Sequence, residues 1–132
     1  DLNKFSEELK KNKIKNIKLP VSAPFHCELM RSATEKMRDE ITKIEFKQPK
    51  VNIISNVTAE QTNDPNEIKS LLIEQIERPV RWREIVINMI DSKVEKFIEI
   101  GPGKVLSGLV KRINSNVKLI KVNDLEDLNN LI

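Results

Sequence analysis

His26 is the single histidine of the chain. Imidazole is the side chain whose ordinary pKa lies near neutral pH, so His26 is a candidate general base. It follows Pro24 and Phe25 in the segment SAPFHC, which joins a predicted strand to a predicted helix. Catalytic groups are often carried on such connections. A lone histidine is nevertheless more often a surface or core residue, and on the residues alone both interpretations stand.

Other groups that could act as nucleophiles or metal ligands are poorly placed. Cys27 is adjacent to His26, and adjacent side chains seldom face each other, so a small buried hydrophobe is the better interpretation. Neither Ser22 nor Ser107 lies in a G-x-S-x-G elbow. One histidine without a ligand partner one turn away does not make a zinc site. We therefore expect no nucleophile motif, metal site or cofactor within these residues.

The segment GPGK at residues 101–104 follows a predicted strand and opens a predicted helix. That context suits a phosphate-binding turn. Its spacing differs from a Walker loop, because Val105 stands where Ser or Thr would bind magnesium. A structural turn is the favoured interpretation, and a nucleotide site is the alternative.

Two groups of basic residues could dock an acidic partner or could simply face solvent. They are Lys10, Lys11, Lys13, Lys15 and Lys18, and Lys104, Lys111 and Arg112. The net charge of +3 is too small to indicate nucleic-acid binding. No apolar run approaches the roughly 18 residues of a membrane span. The 132 residues fit one domain, and the single cysteine favours a reducing compartment.

The hydrophobic pattern predicts an α/β protein with a parallel sheet covered by helices, because strands and helices alternate from residue 51 onward. Strands are expected at 16–21, 51–55, 94–100 and 117–122, and those at 51–55 and 94–100 should be buried on both faces. A helix over 28–44 should bury Leu29, Ala33, Met37, Ile41 and Ile44. Asp64 and Asp124 should cap later helices. The chain starts inside a helical pattern, which suggests a piece of a longer protein.

Four segments, in order and covering nearly the whole chain, together resemble the bacterial malonyl-CoA:acyl carrier protein transacylases. They are LPVSAPFHCELM at 19–30, ISNVTA at 54–59, Gln75 with PVRW at 79–82, and FIEIGPGKVLSGLVKRI at 97–113. The resemblance implies a two-part fold. Residues 1–21 would be the last helix and strand of a ferredoxin-like insertion, and residues 22–132 the C-terminal part of an α/β-hydrolase-like sheet with helices.

The resemblance also implies a mechanism in cytoplasmic fatty acid biosynthesis. In the family, a serine in a G-H-S-x-G elbow attacks the malonyl thioester of coenzyme A. The malonyl-serine ester is then attacked by the phosphopantetheine thiol of acyl carrier protein. His26 matches the histidine that accepts the serine proton, and Gln75 matches the glutamine whose main-chain carbonyl orients it. Phe25 matches a phenylalanine carried by members that select malonyl over methylmalonyl.

Several parts that the family needs are absent from the chain, so the chain alone is expected to be inactive. The serine elbow, the oxyanion-hole glutamine loop and the arginine for the malonyl carboxylate have no match, and neither Arg81 nor Arg83 is that arginine. Lys111 and Arg112 are hypothesised to dock the acidic carrier protein. A non-enzymatic α/β module that docks an acidic protein remains the alternative. Self-association through exposed strand edges is also expected.

Overall fold

The computed structural model describes residues 2–18 and 21–131. Helices and strands alternate one by one only from Trp82 onward. In chain order they are α1 (Leu2–Lys11), a 3-10 helix (Glu28–Met30), α2 (Arg31–Lys43), β1 (Ile53–Ile54), β2 (Gln61–Thr62), α3 (Pro65–Glu74), α4 (Trp82–Asp91), β3 (Lys96–Ile100), α5 (Val105–Ile113), β4 (Lys118–Val122) and α6 (Leu125–Asn129).

The ends of α3 are set by residues that the sequence identifies. Asp64 accepts a hydrogen bond from the N–H of Asn66, and Pro65 occupies the first helical position, where its missing N–H costs nothing. The helix ends at Glu74, five residues before Pro79. The predicted Asp64 cap is therefore confirmed, as is the Asp124 cap of α6, whose carboxylate accepts from the N–H of Asp127.

The α/β class is confirmed by β3 and β4, which pair in parallel from Lys96 with Lys118 to Ile100 with Val122. Helix α5 makes the crossover between them and packs on both strands. The turn that leads from β3 into α5 requires glycine at two positions. Gly101 has φ +128° and Gly103 has φ +101°, a region that residues with a side chain rarely adopt.

The start of α5 is held by a carboxylate of the strand before it. Glu99 accepts the N–H of Leu106 at 3.0 Å and the N–H of Ser107 at 2.8 Å. These N–H groups have no partner inside the helix, so an anion next to them is favourable. Hydrogen bonds from the side chain and main chain of Ser107, with that from Leu106, lower the pKa of Glu99 below its usual value. The ionised carboxylate of Glu99 on β3 thus links this strand to α5 by accepting hydrogen bonds from the first turn of the helix.

Two predicted strands differ from the structure. Residues 16–18 and 21 lie in no strand, and residues 19 and 20 lie outside the described residues. The sequence pattern predicts a parallel strand over 51–55, but only Ile53–Ile54 is extended, and it pairs antiparallel with Gln61–Thr62. The reason is a tight connection. Ser55 bonds through its carbonyl to the N–H of Ala59 and through its N–H to the carbonyl of Glu60, which turns the chain back on itself.

The buried core is smaller than the sequence pattern predicts. Its apolar members are Ile41, Ala59, Ile68, Leu71, Ile73, Ile85, Val86, Val110 and Val122. Of the face predicted for the helix over 28–44, only Ile41 is buried, and Leu29 is 76% exposed. In β3, for which burial on both faces is predicted, Ile100 is 78% exposed. Each sheet of the described residues has two strands, and apolar side chains of these strands stay exposed, among them Ile53 and Ile98.

Within residues 2–18 and 21–131, none of the helices combines the length and apolar character needed to cross a bilayer.

The link between Glu99 and α5 predicts a pH-dependent contribution to stability. A carboxyl whose pKa is lowered by folding stabilises the folded state above its unfolded pKa, and this contribution is lost as the pH falls through the folded pKa. The Glu99→Gln variant lacks the charge at every pH. We therefore expect the melting temperature of the unmodified chain to fall more than that of Glu99→Gln as the pH drops from about 6 to 3.

The control is Glu95→Gln, which removes an exposed carboxylate just before the same strand. Its melting curves should keep the pH dependence of the unmodified chain. If Glu99→Gln also kept that dependence, the carboxylate would not stabilise the start of α5.

Candidate functional site

His26 lies in the connection that leads into α2, and its backbone is unusual. Its φ is +61°, in the left-handed region that non-glycine residues seldom adopt. The next residue, Cys27, has extended backbone and precedes the 3-10 helix, with its carbonyl accepting the N–H of Met30 at 2.9 Å. Cys27 Sγ donates to the carbonyl of Pro24 at 3.2 Å.

The ring of His26 is held by a residue 49 positions later in the chain. Its Nδ1 lies 2.9 Å from the main-chain oxygen of Gln75. Because a carbonyl can only accept, Nδ1 carries the proton in this contact, and in the neutral ring Nε2 bears the lone pair. The arrangement leaves Nε2 as the basic atom of the site. The structure thus brings together the two residues that the sequence pairs as base and orienting group, and their roles stay predictions.

The carbonyl of Gln75 is free to accept this bond because a proline lies four residues after it. In a continuing helix it would accept the N–H of residue 79, as the carbonyl of Glu74 accepts the N–H of Arg78 at 3.1 Å. Residue 79 is Pro79, which has no N–H. The Gln75 carbonyl therefore lacks the N–H partner that a continuing helix would supply, and it accepts from His26 instead.

The side chain of Gln75 has its own partner, which is not among the predicted site residues. Asn56 Nδ2 donates to Gln75 Oε1 at 3.1 Å, and both residues are partly buried. The main-chain oxygen of Asn56 in turn accepts the N–H of Arg81 at 3.0 Å. Asn56 lies in the ISNVTA segment, but no spacing rule relates it to a residue 19 positions away. The contact between Asn56 and Gln75 could be found only from the folded structure.

Helices α2 and α3 pack on each other, and this packing holds His26 and Gln75 close together. Lys69 Nζ on α3 donates to the carbonyls of Thr42 and Ile44 at the end of α2, at 2.8 and 2.9 Å. At the opposite end, Arg31 lies 3.8 Å from Glu77. Since His26 precedes α2 and Gln75 directly follows α3, these contacts limit how far the ring and its acceptor can separate.

The remaining predicted site residues lie on exposed surface. Phe25 directly precedes His26 and is 55% exposed. Lys111 and Arg112 are exposed in the last turn of α5, which packs on α4, β3 and β4. Basic side chains at a helix C-terminus also interact favourably with the helix dipole. The structure does not join these two residues to the His26 site.

The GPGK turn has its hydrogen-bond donors occupied by protein groups. The N–H of Gly103 donates to Asn123 Oδ1 at 3.0 Å, and the first N–H groups of α5 donate to Glu99. A phosphate at this turn would have to displace a carboxylate. These contacts support the structural interpretation of the turn.

Within the described ranges, no group of three or more His, Cys, Asp or Glu side chains could hold a metal ion. The chemistry that the site can supply is proton transfer at Nε2 of a histidine whose other nitrogen is tied to a carbonyl.

Comparison with known proteins gives a consistent result. No family model matches the chain. A malonyl CoA-acyl carrier protein transacylase of Bacillus subtilis (strain 168) is 47% identical over 124 residues. The crystal structure of the transacylase of that name from Clostridium perfringens is 44% identical, with a TM-score of 0.86. A malonyl-transacylase solved in complex with a type II PKS acyl-carrier protein is 34% identical, with a TM-score of 0.85.

These matches cover most of the chain but less than half of each relative. The alignment spans 93% of the chain and 39% of the Bacillus protein. For the Clostridium structure the shares are 98% and 41%, and for the complex they are 97% and 42%. The chain therefore spans about two fifths of the length of the proteins it matches.

Proposed function

We propose that the chain forms the C-terminal portion of a malonyl CoA-acyl carrier protein transacylase, the protein that its relatives are named for, and that it supplies the general base of that enzyme. The reaction transfers a malonyl group from malonyl-CoA to the phosphopantetheine thiol of acyl carrier protein in cytoplasmic fatty acid biosynthesis. The observation that carries the proposal is the 2.9 Å contact between His26 Nδ1 and the Gln75 carbonyl. It fixes the tautomer that a base acting through Nε2 needs.

In the proposed first half-reaction, Nε2 of His26 takes the hydroxyl proton of a serine supplied from outside these residues. The serine oxygen attacks the malonyl thioester carbonyl, and the C–S bond to coenzyme A breaks. The imidazolium then gives its proton to the departing thiolate, so the ring is neutral again when the malonyl-serine ester has formed. The Gln75 carbonyl stabilises the positive ring in between, because Nδ1–H donates more strongly when the ring is charged.

In the second half-reaction the same ring acts on the carrier. Nε2 takes the proton of the phosphopantetheine thiol, whose sulfur attacks the ester carbonyl. The serine oxygen leaves and recovers a proton from His26, and malonyl-acyl carrier protein is released. Each half-reaction returns the ring to its starting state, so one base serves both.

We include Phe25 in the proposal as a selectivity residue. It directly precedes His26 and is 55% exposed, so its ring lies next to the proposed base and is accessible to a ligand. A bulky ring there leaves less room for an α-methyl branch, which favours malonyl over methylmalonyl.

The base can be tested in a chimaera in which this chain replaces the matching segment of the Bacillus subtilis relative. His26→Asn is the sharper variant, because asparagine tolerates a left-handed backbone, and His26→Ala is its companion. Both should lower kcat for malonyl transfer by about 10²- to 10⁴-fold, the usual contribution of a general base. Steady-state kinetics with malonyl-CoA and acyl carrier protein give the measurement.

Gln75→Ala is the comparison for the orienting group. It keeps the main-chain carbonyl that contacts His26, so its effect should be much smaller than that of either His26 variant. Near-normal transfer by His26→Asn would refute the base assignment. A loss for Gln75→Ala as large as that for His26→Ala would show that the glutamine side chain is itself essential.

We also propose Lys111 and Arg112 as part of the carrier-protein docking surface. Both are exposed in the last turn of α5, and opposite charge mainly raises the association rate. In the same chimaera, changing both to Glu should raise the KM for acyl carrier protein roughly tenfold at low salt. The rate of malonyl loading from malonyl-CoA should not change.

The matched control is the pair Lys47→Glu and Lys50→Glu, which makes the same charge change at two exposed positions between α2 and β1, outside both basic groups. It should leave the KM for the carrier near that of the unmodified chimaera. Equal effects of the two pairs would show a general charge effect, and a parallel loss of malonyl loading would show that the α5 residues are structural.

We also propose that the chain self-associates, with a second copy of the chain binding at the open edge of β3. Among the described residues β3 pairs with β4 alone, so one edge of β3 is open for strand pairing. Two of its apolar side chains are also accessible, Ile98 at 42% and Ile100 at 78%. An open apolar edge of this kind favours association between copies.

Sedimentation velocity of the 132-residue chain should show dimers or larger species that dissociate on dilution. Ile100→Lys should shift the distribution towards monomer, since a charged side chain blocks strand edges. Ile44→Lys, which changes a similarly apolar and exposed residue on another surface (55% exposed), should not. A monomer at high concentration would contradict the proposal.

A further inference from the structure

We propose that Asn56 is a positioning residue for His26 and acts through the side chain of Gln75. The inference rests on the proposed function of His26 as the base. The contacts form one chain: Asn56 Nδ2 to Gln75 Oε1 at 3.1 Å, and Gln75 main-chain O to His26 Nδ1 at 2.9 Å. Gln75 is therefore held by its side chain while its main chain holds the imidazole.

The carbonyl of Gln75 lies where the regular hydrogen bonds of α3 end. Gln75 is the residue that follows α3, and its own N–H donates to the carbonyl of Leu71 at 3.0 Å. The peptide that contains its carbonyl continues into Ile76, whose N–H reaches the carbonyl of Ile73 only at 3.4 Å, a long hydrogen bond. Pro79 supplies no N–H to that carbonyl. The Gln75 side chain therefore offers a further point of attachment that can set the direction of this carbonyl.

Asn56 is well placed to serve as a fixed point. Its main-chain oxygen accepts the N–H of Arg81, and Arg81 Nη1 donates to the carbonyl of Thr58 at 2.8 Å. The same loop is held further along by Asn88, whose side chain donates to the carbonyl of Ala59 at 2.9 Å. These bonds attach the loop to α4 from both sides of Val57. A shift of the amide of Asn56 thus requires moving a loop tied to a helix.

A purely structural role makes a different prediction. If Asn56 only stabilised its loop, its loss would lower the stability of the chain and leave the two neutral forms of the His26 ring in their original ratio. If it orients the Gln75 carbonyl, its loss weakens the bond at Nδ1 and moves the ring proton towards Nε2. The ratio of tautomers therefore separates the two roles.

The test is simple to read because the chain has a single histidine. Long-range ¹⁵N–¹H correlation spectra of the 132-residue chain, at about pH 9 where an ordinary imidazole is neutral, report the tautomer ratio. In the unmodified chain the Nδ1–H form should predominate. In Asn56→Ala its ratio to the Nε2–H form should fall by about 2- to 10-fold, the effect of weakening one neutral hydrogen bond.

The matched control is Asn52→Ala. Asn52 Nδ2 donates to Gln61 Oε1 at 2.8 Å, so the variant removes the same kind of asparagine–glutamine bond next to β1, away from His26. It should leave the tautomer ratio unchanged. An unchanged ratio in folded Asn56→Ala, or an equal shift in Asn52→Ala, would overturn the proposal.

A second variant tests the same bond from the other side. Gln75→Met keeps the length of the side chain and removes the amide, so it should shift the ratio as much as Asn56→Ala, and the double variant should shift it no further. If Asn56→Ala does not fold, Gln75→Met alone decides, and an unchanged ratio in it overturns the proposal.

Activity gives an independent readout that keeps the two proposals separate. In the chimaera, Asn56→Ala should lower kcat about 2- to 10-fold with little change in the KM for malonyl-CoA, because it disturbs the base and not the substrate. Full kcat in Asn56→Ala alongside an inactive His26→Asn would overturn the positioning role alone. An active His26→Asn with a shifted tautomer ratio in Asn56→Ala would overturn the proposed function alone.

Discussion

The hydrogen bond between His26 Nδ1 and the Gln75 carbonyl is the contact on which the arrangement of the site depends. It joins the residues before one helical segment to the end of another, and the Gln75 carbonyl accepts it where the hydrogen-bond ladder of α3 has ended. The imidazole can take this acceptor because α3 ends where a proline removes the competing donor. A helix terminus, which elsewhere must be satisfied by water or a capping group, here accepts a hydrogen bond from the ring of His26.

The bond also bears on the backbone of His26. A left-handed conformation costs a residue with a side chain about 1–2 kcal/mol, and a hydrogen bond returns a net 0.5–1.5 kcal/mol or so. The two energies are of similar size, so the hydrogen bond to Gln75 can offset the cost of the left-handed backbone at His26. The packing of α2 on α3 also contributes, because Lys69 Nζ of α3 donates to two carbonyls at the end of α2. This packing helps to fix the positions of His26 and Gln75.

Much of the local structure can be predicted from short-range rules. Asp64 and Pro65 start α3, Asp124 starts α6, and the glycines of the 101–104 turn adopt positive φ, because each of these features depends on a few neighbouring residues. The prediction of a parallel strand at 51–55 is wrong for the opposite reason. An apolar β-branched run specifies an extended backbone, but the direction of its partner is decided by the tight turn at Ser55, which the composition does not reveal.

The site shows the same division between local and distant information. His26 and Gln75 can be proposed from the sequence because each lies in a recognisable segment, whereas the bond from Asn56 to Gln75 joins positions 19 residues apart through partly buried amides. Amides in that setting are strongly constrained, because leaving one unpaired costs more than the bond itself contributes. The pairing therefore follows from the closed packing of the 55–59 loop against α4, and once α4 and α3 are in place Asn56 and Gln75 are each other's partners. Asn56, a polar residue with no catalytic chemistry of its own, is in this way bonded to the residue whose carbonyl contacts the ring of His26.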